Sequence, residues 1–181
     1  MQEIDGQGNA VGLNLEGKEG WVADDMLLLK PVIIGPGGTI IVKREAFQAA
    51  GVFDERLEIY EDWEFCYRVA RKFKIGFVPE VLLDYRVHGK NSHLNLKKME
   101  RSLLIAFEKA FDTKDESVSR LRRECYGNLY KILAGSSFRA GNYRMFTKYL
   151  IKSLRQKPGD IQYYLEFPVR RLRKGNEKKS A

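Results

Sequence analysis

Two kinds of hydrophobic spacing divide this chain. Up to residue 93 the apolar positions come in short continuous runs; beyond it they recur every three or four residues. Val32-Ile33-Ile34 and Thr39 to Val42 are β-branched runs separated by Gly35-Pro36-Gly37-Gly38, and Ile75 to Val78 and Val81 to Val87 flank Pro79-Glu80. Runs of this kind predict buried strands. Between them the pattern predicts helices over Trp21 to Lys30, stopped by Pro31, and over Lys43 to Ala50, capped by Gly51. A third opens at Glu61-Asp62 and carries Trp63, Phe65, Val69, Ala70 and Phe73. Turn signals at Asp5-Gly6, Gly8-Asn9 and Gly17 predict a hairpin near the start.

From Leu94 the period is helical. Met99, Leu103, Phe107 and Phe111 form one stripe, with Leu96 and Leu104 beside it. Val118, Leu121, Cys125, Leu129, Ile132 and Ser136 form a second, and Tyr143, Phe146, Leu150 and Leu154 a third. Asp112-Thr113-Lys114, Gly141-Asn142 and Pro158-Gly159 are the breaks, and a short helix follows from Asp160 to about Arg173. The pair from Leu129 to Pro158 is tetratricopeptide-like, but one copy cannot stack, so these helices are expected to pack on the α/β part. The pattern therefore predicts an α/β part over 1–93, a helical region over 94–173 and a disordered basic tail over 174–181.

Charge sharpens that division. Residues 1–93 hold 11 Lys/Arg against 15 Asp/Glu, a net of −4, and residues 94–181 hold 21 against 9, a net of +12. The basic part invites an anionic partner such as a phospholipid surface, although solvated helix faces would give the same balance. Arg120, Arg122, Arg123, Lys131 and Arg139 come with no nucleic-acid motif, which ranks nucleic acid last. No apolar run reaches the length of a membrane span and no signal-peptide pattern opens the chain, so a cytoplasmic location is expected, peripheral at the inner membrane face. Cys66 and Cys125 lack metal-ligand spacing and read as reduced core thiols.

The candidate chemistry centres on Gly51 to Trp63, a glycine turn and acidic loop leading to Glu61-Asp62 at a helix start. Carboxylates there suit the helix dipole, which alone accounts for many such pairs. Here Phe53, Asp54-Glu55 and Tyr60 precede the pair and Trp63 follows it. Tyr60 and Trp63 offer apolar faces that suit either a ligand or the core. Gly37 and Gly38 allow close approach of a ligand or another backbone.

Thr39 to Phe47, Ala50 to Glu55, Tyr60-Glu-Asp-Trp-Glu-Phe with Arg68, and Phe77 to His88 together resemble the acceptor half of the family 2 glycosyltransferases, inverting enzymes of the GT-A fold, over about residues 30 to 93. The resemblance implies a mixed α/β domain that moves a sugar from a nucleotide-sugar donor to a carbohydrate or lipid-linked acceptor. Asp62 would be the base that takes the acceptor proton, with Glu61 holding the acceptor or the turn. Gly38, Tyr60, Trp63, Arg86 and His88 would line the substrates, and His88 would stand near the diphosphate or its divalent metal, Mg or Mn. Arg68 would form a structural ion pair with Asp54 or Asp84.

The departures from the family matter equally. The family's nucleotide-binding half ends in Asp-x-Asp, and these 181 residues contain no such motif; Asp24-Asp25 is adjacent and better suits a helix end. The expectation is thus the C-terminal, acceptor-side portion of a transferase of cell-surface polysaccharide or glycolipid synthesis, with no metal held by this portion alone. Its apolar face would be uncovered and prone to self-association. The alternative is a helical protein-interaction module attached to a non-catalytic remnant.

Overall fold

The computed structural model describes residues 1–33, 35–88 and 95–166, and the chain forms two compact units, Met1–Arg122 and Arg123–Ala181. In the first, β1 (Gln2–Ile4) and β2 (Ala10–Leu13) form the expected hairpin. Asp5 holds its turn by accepting from the backbone N–H groups of Gln7 and Asn9, both at 2.9 Å. β3 (Asp84–Arg86) adds to β1 in parallel, so the sheet is mixed with order β2-β1-β3.

Most of the predicted strands do not form ladders. Pro36–Thr39 is a single helical turn, α2, and Ile40 leaves it with extended dihedrals (φ −104°, ψ 143°). Ile40, Ile41 and Val42 have no backbone partner among the described residues, and Ile41 is fully exposed. The β-branched run sets the local conformation, but a strand also needs a neighbour. Ile34 lies outside the described residues. Ile75 makes only an isolated bridge to Gly20, and the run from Val81 pairs only near β3. The first predicted helix shrinks to α1 (Ala23–Leu27), because Leu29 turns left-handed (φ 57°) before Pro31 is reached.

The helices that frame the acidic pair follow the sequence closely. α3 (Arg44–Ala50) ends at Gly51 (φ 79°), and α4 (Glu61–Ala70) buries Phe65, Cys66, Val69 and Ala70. α5 (Leu96–Phe111) turns Met99, Leu103, Phe107 and Phe111 inward, as its spacing predicts. It packs in the first unit rather than with the later helices: Phe107 meets Trp63 edge-on at 6.3 Å. α6 (Glu116–Ser119) is started by Asp115, which accepts from Ser117 N–H and pairs with Arg71 at 2.6 Å.

A charged cluster joins α3, α4 and α5. Glu64 is only 2% exposed and pairs with Arg68 at 2.9 Å and Lys109 at 2.8 Å. Arg68 spends its remaining donors on the carbonyls of Ala50 and Val52. Its ion-pair partner is therefore Glu64, one turn back, not Asp54 or Asp84. Asp54 is held instead by Arg56 at 2.7 Å and Lys109 at 3.2 Å. Both Cys66 and Cys125 are buried and free, as expected.

The second unit is helical. α7 (Arg122–Arg139, its first residue in the other unit) faces α8 (Tyr143–Gln156), and a 3-10 turn (Pro158–Asp160) leads to α9 (Ile161–Leu165). Asn142 caps α8 by accepting from Met145 N–H. The helices close on Gly127, whose carbonyl accepts from Ser153 Oγ at 3.0 Å and where an added Cβ would lie 2.9 Å from the Lys157 stem. The inward faces differ from the predicted stripes. Cys125, Leu129 and Leu133 are buried on α7 while Ile132 is exposed, and Tyr149 and Ser153 are buried on α8 while Tyr143 is 58% exposed. A three-residue step and a four-residue step diverge by about 100° of turn, so one wrong step moves the assigned face. No second helix pair stacks on this one among the described residues, and the tetratricopeptide-like arrangement is not confirmed. The predicted end of the last helix and the basic tail lie outside the described residues. Among those described, no helix is long and apolar enough to cross a membrane.

Glu64→Ala should leave Arg68 and Lys109 without their shared partner and lower the unfolding free energy by roughly 2–4 kcal/mol, whereas Glu61→Ala should change it by less than about 0.5 kcal/mol; urea unfolding of both variants checks this. Hydrogen bonds, first from Arg56 and then from Lys109, hold the Asp54 carboxyl well below its ordinary 3.8, and Ser117 and Arg71 hold Asp115 at about 2. Both pKa values are depressed by folding, so both groups stabilise fully above about pH 4 and lose that contribution as pH falls below it. The stability gap between wild type and Asp115→Asn should accordingly shrink between pH 4 and pH 2, read from the urea midpoint at each pH.

Candidate functional site

The start of α4 has an unusual entry. Tyr60, the residue before the helix, is left-handed (φ 66°, ψ 14°), a conformation rare for a bulky side chain and costing on the order of 1 kcal/mol or more. Buried Leu57 and Ile59 hold the approaching loop against the core. The turn sets Glu61 and Asp62 in the first helical turn, both half-buried. Asp62 Oδ1 accepts from the N–H of Trp63 at 2.6 Å, and Oδ2 has no hydrogen-bond partner among the described residues. Glu61 has none either. The carboxylate of Asp62 therefore keeps an acceptor oxygen at the positive end of a ten-residue helix.

What faces that oxygen is backbone. A Cβ built on Gly37 would stand 2.9 Å from Asp62 Oδ2, closer than a side chain is tolerated. The glycine turn of α2 is thus packed against Asp62 through Gly37, a close approach to another part of the chain of the kind the double glycine allows. Gly38, expected to line the substrates, lies 3.4 Å from Leu83 at its built Cβ. The negative charge of Asp62 is felt by its neighbours. Burial first, and Asp62 second, raise the Tyr60 phenol, and the same two causes push the Cys66 thiol up to about 12.

The other predicted site residues are placed differently. Trp63 is 9% exposed, stacked on Tyr67 at 6.1 Å and edge-on to Phe107, so it belongs to the core. The next residue along a helix points about 100° away, which is enough to carry it inside. Arg86 donates to the carbonyls of Asp5 and Gly6 at 2.6 and 3.0 Å and braces the hairpin turn. His88 is exposed just beyond β3, and His93 lies outside the described residues. Among the described residues no three His, Cys, Asp or Glu side chains converge on a metal position. Asp25 is engaged by Lys18 and Lys30.

The first unit also holds an open groove of about 860 Å³, whose lining does not include Glu61 or Asp62. Ile41, Phe77 and Leu82 line it together with Gly38, and Cys66 and Val69 of α4 form part of its floor. Ile41 and Leu82 are strongly exposed, at 102% and 73%.

Gly37→Ala should destabilise by up to about 1 kcal/mol in the wild type and far less in an Asp62→Ala background. A double-mutant cycle by urea unfolding measures this coupling, and additive effects would rule the contact out.

Searches against family models, curated proteins and solved structures return no match to this chain.

Proposed function

We propose that the first unit is the acceptor-side portion of an inverting, nucleotide-sugar-dependent glycosyltransferase, with Asp62 as the base. The observation that carries the reading is the Asp62 carboxylate: half-buried, at a helix start, with one oxygen unpartnered among the described residues and a glycine backbone directly opposite. An acceptor hydroxyl within hydrogen-bond reach of Oδ2 would pass its proton there as its oxygen bonds to the anomeric carbon. The bond from that carbon to the diphosphate breaks on the opposite side, and the nucleoside diphosphate leaves with the electron pair, which inverts the centre. Glu61, one residue earlier and unpaired among the described residues, is available to hold a second acceptor hydroxyl.

The groove supports the same reading. Extended segments with exposed apolar side chains and unpaired backbone are what an α/β half leaves open where a second half belongs. In the family resembled, that half binds the nucleotide and carries Asp-x-Asp. The residues described here do not fit a metal site, and the proton transfer to Asp62 is derived without one. The metal, Mg or Mn, would take its main ligands from the donor-binding half, as would the specificity for the nucleotide. The parent enzyme would serve cell-surface polysaccharide or glycolipid synthesis, on a carbohydrate or lipid-linked acceptor.

The 181 residues alone should transfer no sugar from any of a panel of uridine, guanosine and thymidine diphosphate sugars supplied with Mg or Mn. In the protein that includes a donor-binding half, Asp62→Asn should lower turnover by about 10² to 10⁴-fold and leave thermal unfolding nearly unchanged. Transfer by the 181 residues, or full turnover by the Asn variant, would sink the assignment.

A further inference from the structure

The helical unit carries a charge pattern that the transferase reading does not use. α8 holds four cations, Arg144, Lys148, Lys152 and Arg155, and no acidic residue over its 14 positions. At about 100° per residue the four fall within roughly 80° of the helix circumference. The buried side of α8, Tyr149 and Ser153, lies outside that arc. Arg144, Lys148 and Arg155 are exposed and have no carboxylate partner among the described residues. The stem of Lys152 crosses aromatic faces, its Nζ lying 4.7 Å from the Tyr130 ring centre. Lys131 pairs with Asp160 and Lys157 with Glu124, both outside α8.

One exposed apolar side chain sits beside this stripe and another at the start of the helix. Ile151 is 44% exposed at the edge of the same arc, and Tyr143 is 58% exposed at the first turn. A polyanion read through its phosphates alone would have no use for an exposed isoleucine. A lipid surface uses both: the cations meet the headgroups and the apolar chains enter the boundary beneath them. We propose that this face of α8 docks on a bilayer surface rich in anionic phospholipid. The proposal stands independently of the transferase reading.

The test is co-sedimentation of the full chain with vesicles of neutral phosphatidylcholine and with vesicles containing one part in three of phosphatidylglycerol. Binding should require the anionic lipid and weaken steeply as salt is raised. A cation near such a surface contributes about 1 kcal/mol, or roughly 5-fold in partition. Replacing all four α8 cations with Gln should thus lower partition by about 10²-fold or more with an unchanged helical spectrum. Neutralising Arg170, Arg171, Arg173 and Lys174, toward the tail and beyond the described residues, is the matched control and should cost less. Ile151→Ser should reduce vesicle binding while leaving binding to a short RNA oligonucleotide unchanged. Equal binding to neutral vesicles would overturn the proposal, as would a smaller loss from the α8 variant than from the tail control. So would RNA binding tighter than vesicle binding together with no effect of Ile151→Ser.

Discussion

The first unit depends on one buried carboxylate. Glu64 sits two residues beyond Asp62 on the same helix, almost wholly covered, and is neutralised by Arg68 from its own helix and Lys109 from α5. Burying a lone carboxylate would cost several kcal/mol, so the helix can seat itself only where both cations reach. Arg68 adds a directional demand by also gripping the carbonyls at the end of α3. Lys109 and Arg56 hold Asp54 in the loop that leads to the acidic pair. The position of the candidate base is thereby fixed by charges that are not themselves available to a substrate.

That arrangement explains what was legible in the sequence. Helices with strong local signals appear where expected: Gly51 stops α3, the acidic pair opens α4, and the four-residue stripe of α5 goes inward. The hairpin at the start follows its turn residues. The strands fail for a non-local reason. Thr39 to Val42 has strong β character, yet pairing depends on what lies alongside, and among the described residues nothing does. Asp62 was readable because its position at a helix start is a local matter. The fate of Trp63 was not, because one residue of helical rotation decides between an open face and the core. Arg68 was expected to reach across to a distant carboxylate, whereas the four-residue spacing to Glu64 satisfies it locally.

The two units solve different problems with their exposed surfaces. In the first, extended segments leave apolar side chains and, among the described residues, unpaired backbone around a groove, a surface that is costly in water. In the second, the helices close on themselves through the Gly127 contact, and α8 turns outward a charged stripe that costs little to hydrate. Apolar residues remaining outside on α8 are therefore single side chains among cations rather than a continuous patch.

Cys66 follows Asp62 by one turn of α4, and its thiol stays protonated across the physiological range because it is buried and near that carboxylate. Thiolate, not thiol, reacts with alkylating reagents. Burial and the neighbouring carboxylate both hold down the reactivity of this sulfur, so its labelling should be slow in the folded protein and faster whenever α4 is exposed. The cysteine is a clock built into the helix that carries the candidate base: its rate of labelling counts how often that helix opens.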